Sequence, residues 1–125
     1  MGQVQRGTRK KLSGGMFKWG KSKRLSEKAR EPISTKIGES MIKSVRTPGN
    51  NRKYKVMVAQ TVNVCDPKKK KCIKAKIKTV VDNPANRHFI KRNIITKGAI
   101  VETDIGKVKI TSRPGQSGTL NGVLV

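Results

Sequence analysis

Residues 53–81 read KYKVMVAQTVNVCDPKKKKCIKAKIKTVV, in which two runs of alternating apolar and polar residues flank a charged turn. The side chains on one face of the first run are Tyr54, Val56, Val58, Val62 and Val64. In the second run, Ile73, Ala75, Ile77, Thr79 and Val81 lie opposite Lys74, Lys76 and Lys78. A period of two is typical of a half-buried strand. The pattern therefore predicts two strands that pair as an antiparallel hairpin with a solvated lysine face.

Turn and apolar signals on both sides of this hairpin predict further short strands and one helix. Asn83 followed by Pro84 is typical of a helix start, so we predict two helical turns within residues 85–92. Apolar, β-branched segments bounded by turn residues predict strands at 33–37, 41–45, 99–103, 107–111 and 119–125. Many short strands with little helix predict a mainly β fold, a small antiparallel β-barrel-like body with a short helix.

The composition predicts a polyanionic partner. Among 125 residues, 30 Lys and Arg oppose 7 Asp and Glu, which gives a formal net charge of +23. A compact body with this charge repels itself unless a dense polyanion supplies the counter-charge, and nucleic acid is the first candidate. Only 34% of the residues are hydrophobic, so we expect one modest core rather than a large enzyme with an extensive pocket. Lys or Arg interrupts nearly every apolar stretch, so we expect no membrane partner.

The distribution of charge and periodicity divides the chain into two parts. Residues 1–30 hold ten basic residues and one acidic residue, and their few apolar side chains follow no clean period. Such a segment cannot form its own core, so we predict an extended basic RNA-binding arm over residues 1–30. Residues 31–125 hold 20 basic and 6 acidic residues together with the alternation typical of strands, which predicts a β-rich body.

Few residues of this chain are suited to catalysis. His88 is the single histidine, the acidic residues are scattered, and no phosphate-binding loop, nucleophile elbow or zinc-protease motif occurs. The sequence therefore predicts no enzyme, no cofactor and no small-molecule substrate. Cys65 and Cys72, even together with His88, fall short of a zinc site, so we expect no metal. We expect two reduced thiols on neighbouring strands, and a disulfide across the turn stays open as an alternative.

The candidate RNA-binding residues fall into an arm group and a body group. In the arm, Gly and Ser space the basic side chains so that an extended backbone can lie close to phosphates, and Trp19 can stack on a base. In the body, arginines near bends present planar donors that suit phosphate, and His88 is expected to stack on a base or to contact phosphate. The predicted residues are Arg6, Arg9, Lys10, Lys11, Lys18, Trp19, Lys21, Lys23, Arg24, Arg46, Arg52, Lys53, Arg87, His88, Arg92, Lys97 and Arg113.

Short motifs distributed over nearly the whole chain resemble those of one known family. They are KKLSGG at 10–15, Lys23-Arg24, Arg30-Glu31-Pro32, Ile37-Gly38-Glu39, Asn83-Pro84-Ala85-Asn86, RNIITKGAI at 92–100 and TSRPGQ at 111–116. They are similar to the small-subunit ribosomal protein family "eight-e" of archaea and eukaryotes, and the compact length resembles the archaeal form. The resemblance implies a β-barrel-like body with an extended arm, bound to small-subunit ribosomal RNA. It also implies that residues 10–15 and Lys23-Arg24 belong to an RNA-penetrating arm, and that Arg92, Lys97 and Arg113 lie near RNA.

Together these observations predict a structural constituent of the small ribosomal subunit, located in the cytoplasm within the ribosome. The expected partners are small-subunit ribosomal RNA and neighbouring ribosomal proteins. A DNA-compacting chromatin-type protein is the alternative, because it has a similar charge and differs in binding duplex DNA as well as structured RNA. A nuclease that uses His88 and a secreted polyanion binder with a bridge between Cys65 and Cys72 are further alternatives that experiment can exclude.

Overall fold

A computed structural model describes residues 10–18 and 31–125. The chain divides into two compact units, Met1–Pro32 and Ile33–Val125, and each is described by itself. The elements of the second unit are β1 (Lys36–Ile37), β2 (Met41–Thr47), β3 (Asn51–Ala59), β4 (Thr61–Asp66), β5 (Lys71–Asp82), α1 (His88–Lys91), β6 (Ile100–Thr103), β7 (Lys107–Ile110) and β8 (Asn121–Leu124). The expected mainly β fold with one short helix is confirmed.

Strands β4 to β8 form a closed barrel in the order β4-β5-β6-β7-β8. Each strand pairs antiparallel with the next, whereas β4 and β8 close the barrel as a parallel pair. The parallel closure follows from the strand number, because the first and last strands of an antiparallel meander run in the same direction when that number is odd. The predicted barrel is thus confirmed, with one parallel seam.

A glycine in β8 allows this strand to pair closely with β7. A Cβ atom on Gly122 would collide with the side chain of Val108 and would lie 3.0 Å from the carbonyl oxygen of Lys109. Gly122 lies opposite Val64 at the parallel seam and opposite Ile110 on the other side. The backbones of β7 and β8 therefore approach each other more closely than any residue with a side chain would allow.

The barrel and strand β3 share a small core of aliphatic side chains. Most of them are β-branched, as expected for residues that pack against a pleated surface. The cluster consists of Val56, Ala59, Val62, Val64, Ala75, Ile77, Val80, Ile95, Val101, Val108, Ile110 and Leu120. This single core matches the modest core that the composition predicts.

The first predicted strand is two strands, and the single-strand prediction is wrong. The strand is interrupted at Gln60, so that β3 belongs to a separate sheet and β4 to the barrel. Val56 in β3 and Val62 in β4 nevertheless bury their side chains in the same core. Ala59, which the alternation places outside, is buried in that core as well, and Gln60 is exposed, so the period of two is interrupted at the break.

The predicted hairpin of β4 with β5 is confirmed, with one change in its second strand. The pairing runs from Thr61 opposite Lys76 to Asp66 opposite Lys71. Beyond Ile77 the register of β5 against β6 shifts twice. The inward position consequently moves to Val80, while Val81, which the alternation places inside, is 41% exposed.

The remaining strands form a three-stranded sheet in the order β1-β3-β2. The segment predicted as a strand at 41–45 extends to Thr47, whereas only two residues of 33–37 pair as a strand. Gly49 and Asn50 have φ angles of 76° and 59°, which gives the tight turn between β2 and β3 the left-handed backbone that Gly and Asn tolerate.

The predicted helix is shorter than expected, and Asn83 is not its cap. Helix α1 covers only four residues, and Arg87 stands at its N-cap position without a side-chain hydrogen bond. The Asn83 side chain is buried, and its Oδ1 accepts hydrogen bonds from the Ala85 N–H (3.1 Å) and from the Thr96 hydroxyl (2.9 Å). Its Nδ2 donates to the Ile94 carbonyl over 3.1 Å. Asn83 thus connects the segment after the helix to the end of β5 by hydrogen bonds.

The described part of the first unit contains a tight turn. Lys10 and Met16 form an isolated antiparallel bridge, and the Lys11 N–H donates to the Gly15 carbonyl over 2.7 Å. Gly14 has a φ angle of 81°, which allows its N–H to donate to the Lys11 carbonyl over 3.0 Å. The KKLSGG motif therefore folds back on itself, and the remainder of the predicted arm lies outside the described residues.

Candidate nucleic-acid interface

The body carries far more positive charge than its own acidic residues neutralise. Within residues 31–125, the one ion pair joins Lys78 Nζ and Asp104 Oδ1 at 3.4 Å, and both side chains are at least half exposed. A single exposed pair of this kind contributes little to stability. The other basic side chains of the body are left to interact with solvent or with a partner.

The β2–β3 hairpin brings two predicted arginines together. Arg46 lies directly opposite Arg52 in the register, and Ser44 lies opposite Tyr54 one step nearer the barrel. Directly opposed residues of an antiparallel pair share a face, and so do residues two apart in one strand. Both arginines are exposed, and no carboxylate among the described residues lies within ion-pair distance of either. Like charges in this arrangement repel each other, so an anion from outside would stabilise the hairpin.

Lys53 projects from the other face of the same hairpin. It lies opposite Val45, and the next pair of that face places Lys43 opposite Lys55. The hairpin is therefore basic on both faces. The predicted trio of Arg46, Arg52 and Lys53 is brought to one hairpin but not to one face.

The loop that carries Arg113 packs on β3. The Val56 N–H donates to the Pro114 carbonyl over 2.9 Å, on the strand edge that the short β1 leaves free. The Arg113 carbonyl accepts from the N–H groups of Gln116 (3.0 Å) and Ser117 (2.9 Å), which closes the loop into a turn. The structure thus joins the Arg113 loop to the strand that carries Arg52.

A second group of predicted residues surrounds α1. Arg87, His88, Arg92 and Lys97 are exposed, and the helix has no acidic residue in its first turn. The Oδ1 of Asn93, a residue with φ of 50°, accepts from the Val80 N–H over 3.3 Å and so fixes the end of the helix against β5. We call these four residues the helix surface. It is a separate basic region of the body, positioned by a partly buried hydrogen bond to β5.

The lysines of the β4–β5 hairpin extend along its exposed face, as predicted. Lys74, Lys76 and Lys78 are exposed and alternate with residues of β5 that include the buried Ala75 and Ile77. At the tip, the Asp66 carboxylate accepts hydrogen bonds from the backbone N–H groups of Lys68 (2.9 Å) and Lys69 (3.3 Å). The tip is therefore a turn organised by an aspartate, in which the lysine side chains remain exposed.

Cys65 and Cys72 lie directly opposite each other in the β4–β5 hairpin, and both are free thiols. A hydrogen bond with the Cys72 thiol, the charge of Cys72, desolvation and the nearby Asp66 all raise the pKa of Cys65. The prediction of two thiols on neighbouring strands is confirmed. Among residues 10–18 and 31–125, no group of three or more His, Cys, Asp or Glu side chains is arranged to hold a metal ion. No helix in this described part has the length and apolar character to span a membrane.

In the first unit, Lys10, Lys11 and Lys18 are exposed. The Lys11 Nζ lies 5.9 Å from the centroid of the Phe17 ring, within the range of a cation–π interaction. The other predicted arm residues lie outside the described part of the chain, and they are Arg6, Arg9, Trp19, Lys21, Lys23 and Arg24.

One residue of this interface was missed by reasoning from the sequence. Tyr54 is the single tyrosine, and its place in the alternation predicts a side chain on the buried face of a strand. It is 49% exposed instead, on the face that carries Arg46 and Arg52. Its position two residues after Arg52 was the available signal, because an aromatic ring within a basic segment is typical of RNA-binding surfaces.

Comparison with known proteins identifies the family. The family model for ribosomal protein S8e matches residues 4–125 of this chain. The chain belongs to the ribosomal protein S8e family. This finding confirms the resemblance drawn from the short motifs. The family consists of structural ribosomal proteins, so the expectation that the chain is not an enzyme is also confirmed.

Archaeal relatives match nearly the full length. "Small ribosomal subunit protein eS8" of Nanoarchaeum equitans is 51% identical over 114 residues, which cover 91% of this chain and 90% of the relative. The protein of the same name from Methanosphaera stadtmanae is 50% identical over 116 residues, covering 93% and 92%. That of Methanococcus aeolicus is 48% identical over 126 residues, covering 100% and 98%.

Proposed function

We propose that the chain is a structural constituent of the small ribosomal subunit, located in the cytoplasm within the ribosome, where it supports translation by binding ribosomal RNA. Membership of the S8e family and the names of its archaeal relatives support the ribosomal role. The observation that supports RNA as the ligand is the charge. The chain carries +23, and its body contains one exposed ion pair.

The mechanism is electrostatic. RNA phosphates repel each other when helices pack together, and a basic protein that lies between them replaces their condensed counterions. On the body, the regions that bind phosphate are the β2–β3 hairpin, the helix surface and the loop of Arg113. The arm contributes the remaining contacts through the predicted residues of 1–30.

The body and the arm have different tasks in this proposal. The body has a buried aliphatic core and hydrogen-bonded loops, so it presents its arginines in fixed positions. Fixed positions favour recognition of one RNA shape, because double-stranded RNA is recognised through backbone geometry rather than base edges. The arm adds contacts with phosphates. Neighbouring ribosomal proteins are expected to contact the surfaces that RNA leaves free.

The salt dependence of binding to transcribed small-subunit ribosomal RNA tests this proposal. If about ten phosphates are contacted, the affinity should fall by roughly four or more decades between about 50 and 200 mM salt. An affinity that barely changes over that range would contradict the proposal. A duplex DNA with the same number of phosphates is the competitor. Equal competition at matched salt would favour the chromatin-type alternative.

A further inference from the structure

The β2–β3 hairpin has one face on which apolar, aromatic and cationic side chains follow each other in order. From the barrel outward, the directly opposed pairs are Ile42 with Val56, Ser44 with Tyr54, and Arg46 with Arg52. Val56 is buried, Ile42 is 50% exposed and Tyr54 is 49% exposed. We call Ile42, Ser44, Tyr54, Arg46 and Arg52 the platform. It combines an accessible ring with two positive charges on one pleated surface.

The position of the Tyr54 side chain is fixed by the loop after Arg113. A Cβ atom on Gly118 would lie 2.9 Å from Tyr54 Cβ and 3.7 Å from Tyr54 Cγ, so the loop backbone lies against the base of the tyrosine side chain. The hydrogen bond from the Val56 N–H to the Pro114 carbonyl holds the same loop to the strand. The tyrosine is therefore supported by rigid backbone while about half of its side chain remains accessible.

The spacing of the platform suits one nucleotide. Tyr54 and Arg52 are two residues apart on one strand, which separates their Cα atoms by roughly 7 Å. A base that stacks on the Tyr54 ring would place its flanking phosphate within reach of the arginine pair. Two guanidinium groups without a carboxylate partner are suited to clamp one phosphate, and binding would relieve their mutual repulsion.

The composition of the face favours a nucleotide over other ligands. The platform contains no acidic residue, so its partner is an anion. In proteins that bind single-stranded RNA, exposed aromatic rings stack on the accessible unpaired bases, and neighbouring arginines neutralise the phosphates. A paired base in an A-form helix cannot reach the ring. The ligand chemistry is therefore an unpaired nucleotide in a loop, bulge or junction.

We infer that Tyr54 stacks on the base of an unpaired nucleotide while Arg46 and Arg52 bind its phosphate. This inference rests on the proposed function and specifies the kind of RNA element that the body recognises. Tyr54 contacts the base, the arginines contact the backbone, and Gly118 is a positioning residue for Tyr54.

The test compares a single-stranded oligouridylate with an RNA duplex that has the same number of phosphates, using the full chain and its variants. Tyr54→Leu keeps an apolar side chain and removes the ring, so binding of the oligouridylate should weaken by about 5- to 150-fold. Binding of the duplex should be unchanged. Tyr54→Phe is the matched control, because it keeps the ring, and it should bind the oligouridylate like the native chain.

Two further measurements keep the result decisive if Tyr54→Leu folds poorly. Ultraviolet crosslinking of the native chain to the oligouridylate should attach uridine to Tyr54. Replacing both arginines together, as Arg46→Gln with Arg52→Gln, should reduce the slope of log affinity against log salt by roughly 0.7, the value for one phosphate of a single strand. Tyr54→Leu should leave that slope unaltered, because it removes no charge.

The outcomes separate this inference from the proposed function. If Tyr54→Leu binds the oligouridylate as tightly as the native chain does, with no crosslink at Tyr54, the inference is wrong although a steep salt dependence would still support RNA binding. If the native chain shows no salt dependence, the proposed function fails. The platform binds acidic protein segments instead if an oligoglutamate peptide displaces the oligouridylate completely and if Tyr54→Leu weakens binding of the peptide as much as binding of the oligouridylate.

Discussion

The backbone N–H of Val56 donates to the carbonyl of Pro114 over 2.9 Å. The carbonyl of the same Val56 accepts a hydrogen bond from the buried hydroxyl of Thr35 over 2.7 Å. Val56 lies on the edge of β3 that the two-residue strand β1 leaves unpaired. Both of its backbone polar groups are thus hydrogen-bonded, one to the Arg113 loop and one to Thr35. Through these bonds the segment before β1 and the Arg113 loop are fixed to one residue of the central strand.

Replacing Thr35 by Val should destabilise the body. The variant keeps the side-chain volume but leaves the Val56 carbonyl without its hydroxyl donor in a fully buried position. We expect a loss of about 1–3 kcal/mol in the free energy of unfolding, measured by urea denaturation. Thr111→Val is the matched control, because its hydroxyl donates to the Asn121 carbonyl at an exposed site where water can substitute. An equal loss in both variants would show that burial does not matter here.

Replacing Gly122 by Ala should disturb the pairing of β7 with β8. The added methyl group would collide with Val108 and crowd the Lys109 carbonyl, so β7 and β8 must move apart. We expect a loss of about 1–3 kcal/mol or more in thermal or urea unfolding, as in other overpacked cores. Gly115→Ala serves as the control because nothing lies within 4 Å of its added Cβ. Native stability in Gly122→Ala would mean that β7 and β8 lie further apart than the structure gives.

Cys65 should react more slowly with iodoacetamide than an ordinary cysteine does. The hydrogen bond with the Cys72 thiol raises the pKa of Cys65, so at a given pH below that value Cys65 has less thiolate and reacts more slowly. Its reaction rate should keep rising to higher pH than that of an ordinary cysteine. Replacing Cys72 by Ala removes the cause and should speed the alkylation of Cys65, as followed by mass spectrometry. An unchanged rate would contradict this contact.

The raised pKa of Cys65 also predicts the sign of a pH effect on stability. As pH rises through the ordinary pKa of cysteine, the unfolded chain loses its thiol proton before the folded chain does. The free energy of unfolding should therefore fall in that alkaline window. Cys72→Ala should reduce this part of the fall.

Removing an arginine of the helix surface should weaken RNA binding in a salt-dependent way. Arg87→Gln and Arg92→Gln should each lower the salt slope of binding to small-subunit ribosomal RNA by roughly 0.7 to 0.9 if each contacts one phosphate. Lys78→Gln is the matched control, because Lys78 already pairs with Asp104. A slope that changes in Lys78→Gln but not in the two arginine variants would place the RNA elsewhere on the body.

The sequence predicts those parts of the fold that depend on local alternation. The β4–β5 hairpin, including the opposed Cys65 and Cys72, follows from a period of two around a charged turn. The break at Gln60 does not, because Val56 and Val62 fit one continuous alternation in the sequence, which does not show that Ala59 between them is buried. The shift that buries Val80 instead of Val81 depends on the pairing of β5 with β6, which no single segment contains.

The candidate interface, too, was predictable from the sequence only where it depends on local signals. Arginines near bends were correctly expected at the surface, but only the register places Arg46 opposite Arg52 and Ser44 opposite Tyr54. Asn83 has the sequence signature of a helix cap, yet its amide binds Ile94 and Thr96, residues that approach it only in the folded chain. The need for glycine at position 122 arises from the approach of β7 to β8 and has no local signature.

The most direct test of the central claim is crosslinking in the intact cells that make this protein, followed by sequencing of the attached nucleic acid. We predict that the recovered fragments are mainly small-subunit ribosomal RNA, with crosslinks in segments that contain unpaired nucleotides. Recovery mainly of messenger RNA or of chromosomal DNA fragments would contradict a structural role in the small ribosomal subunit.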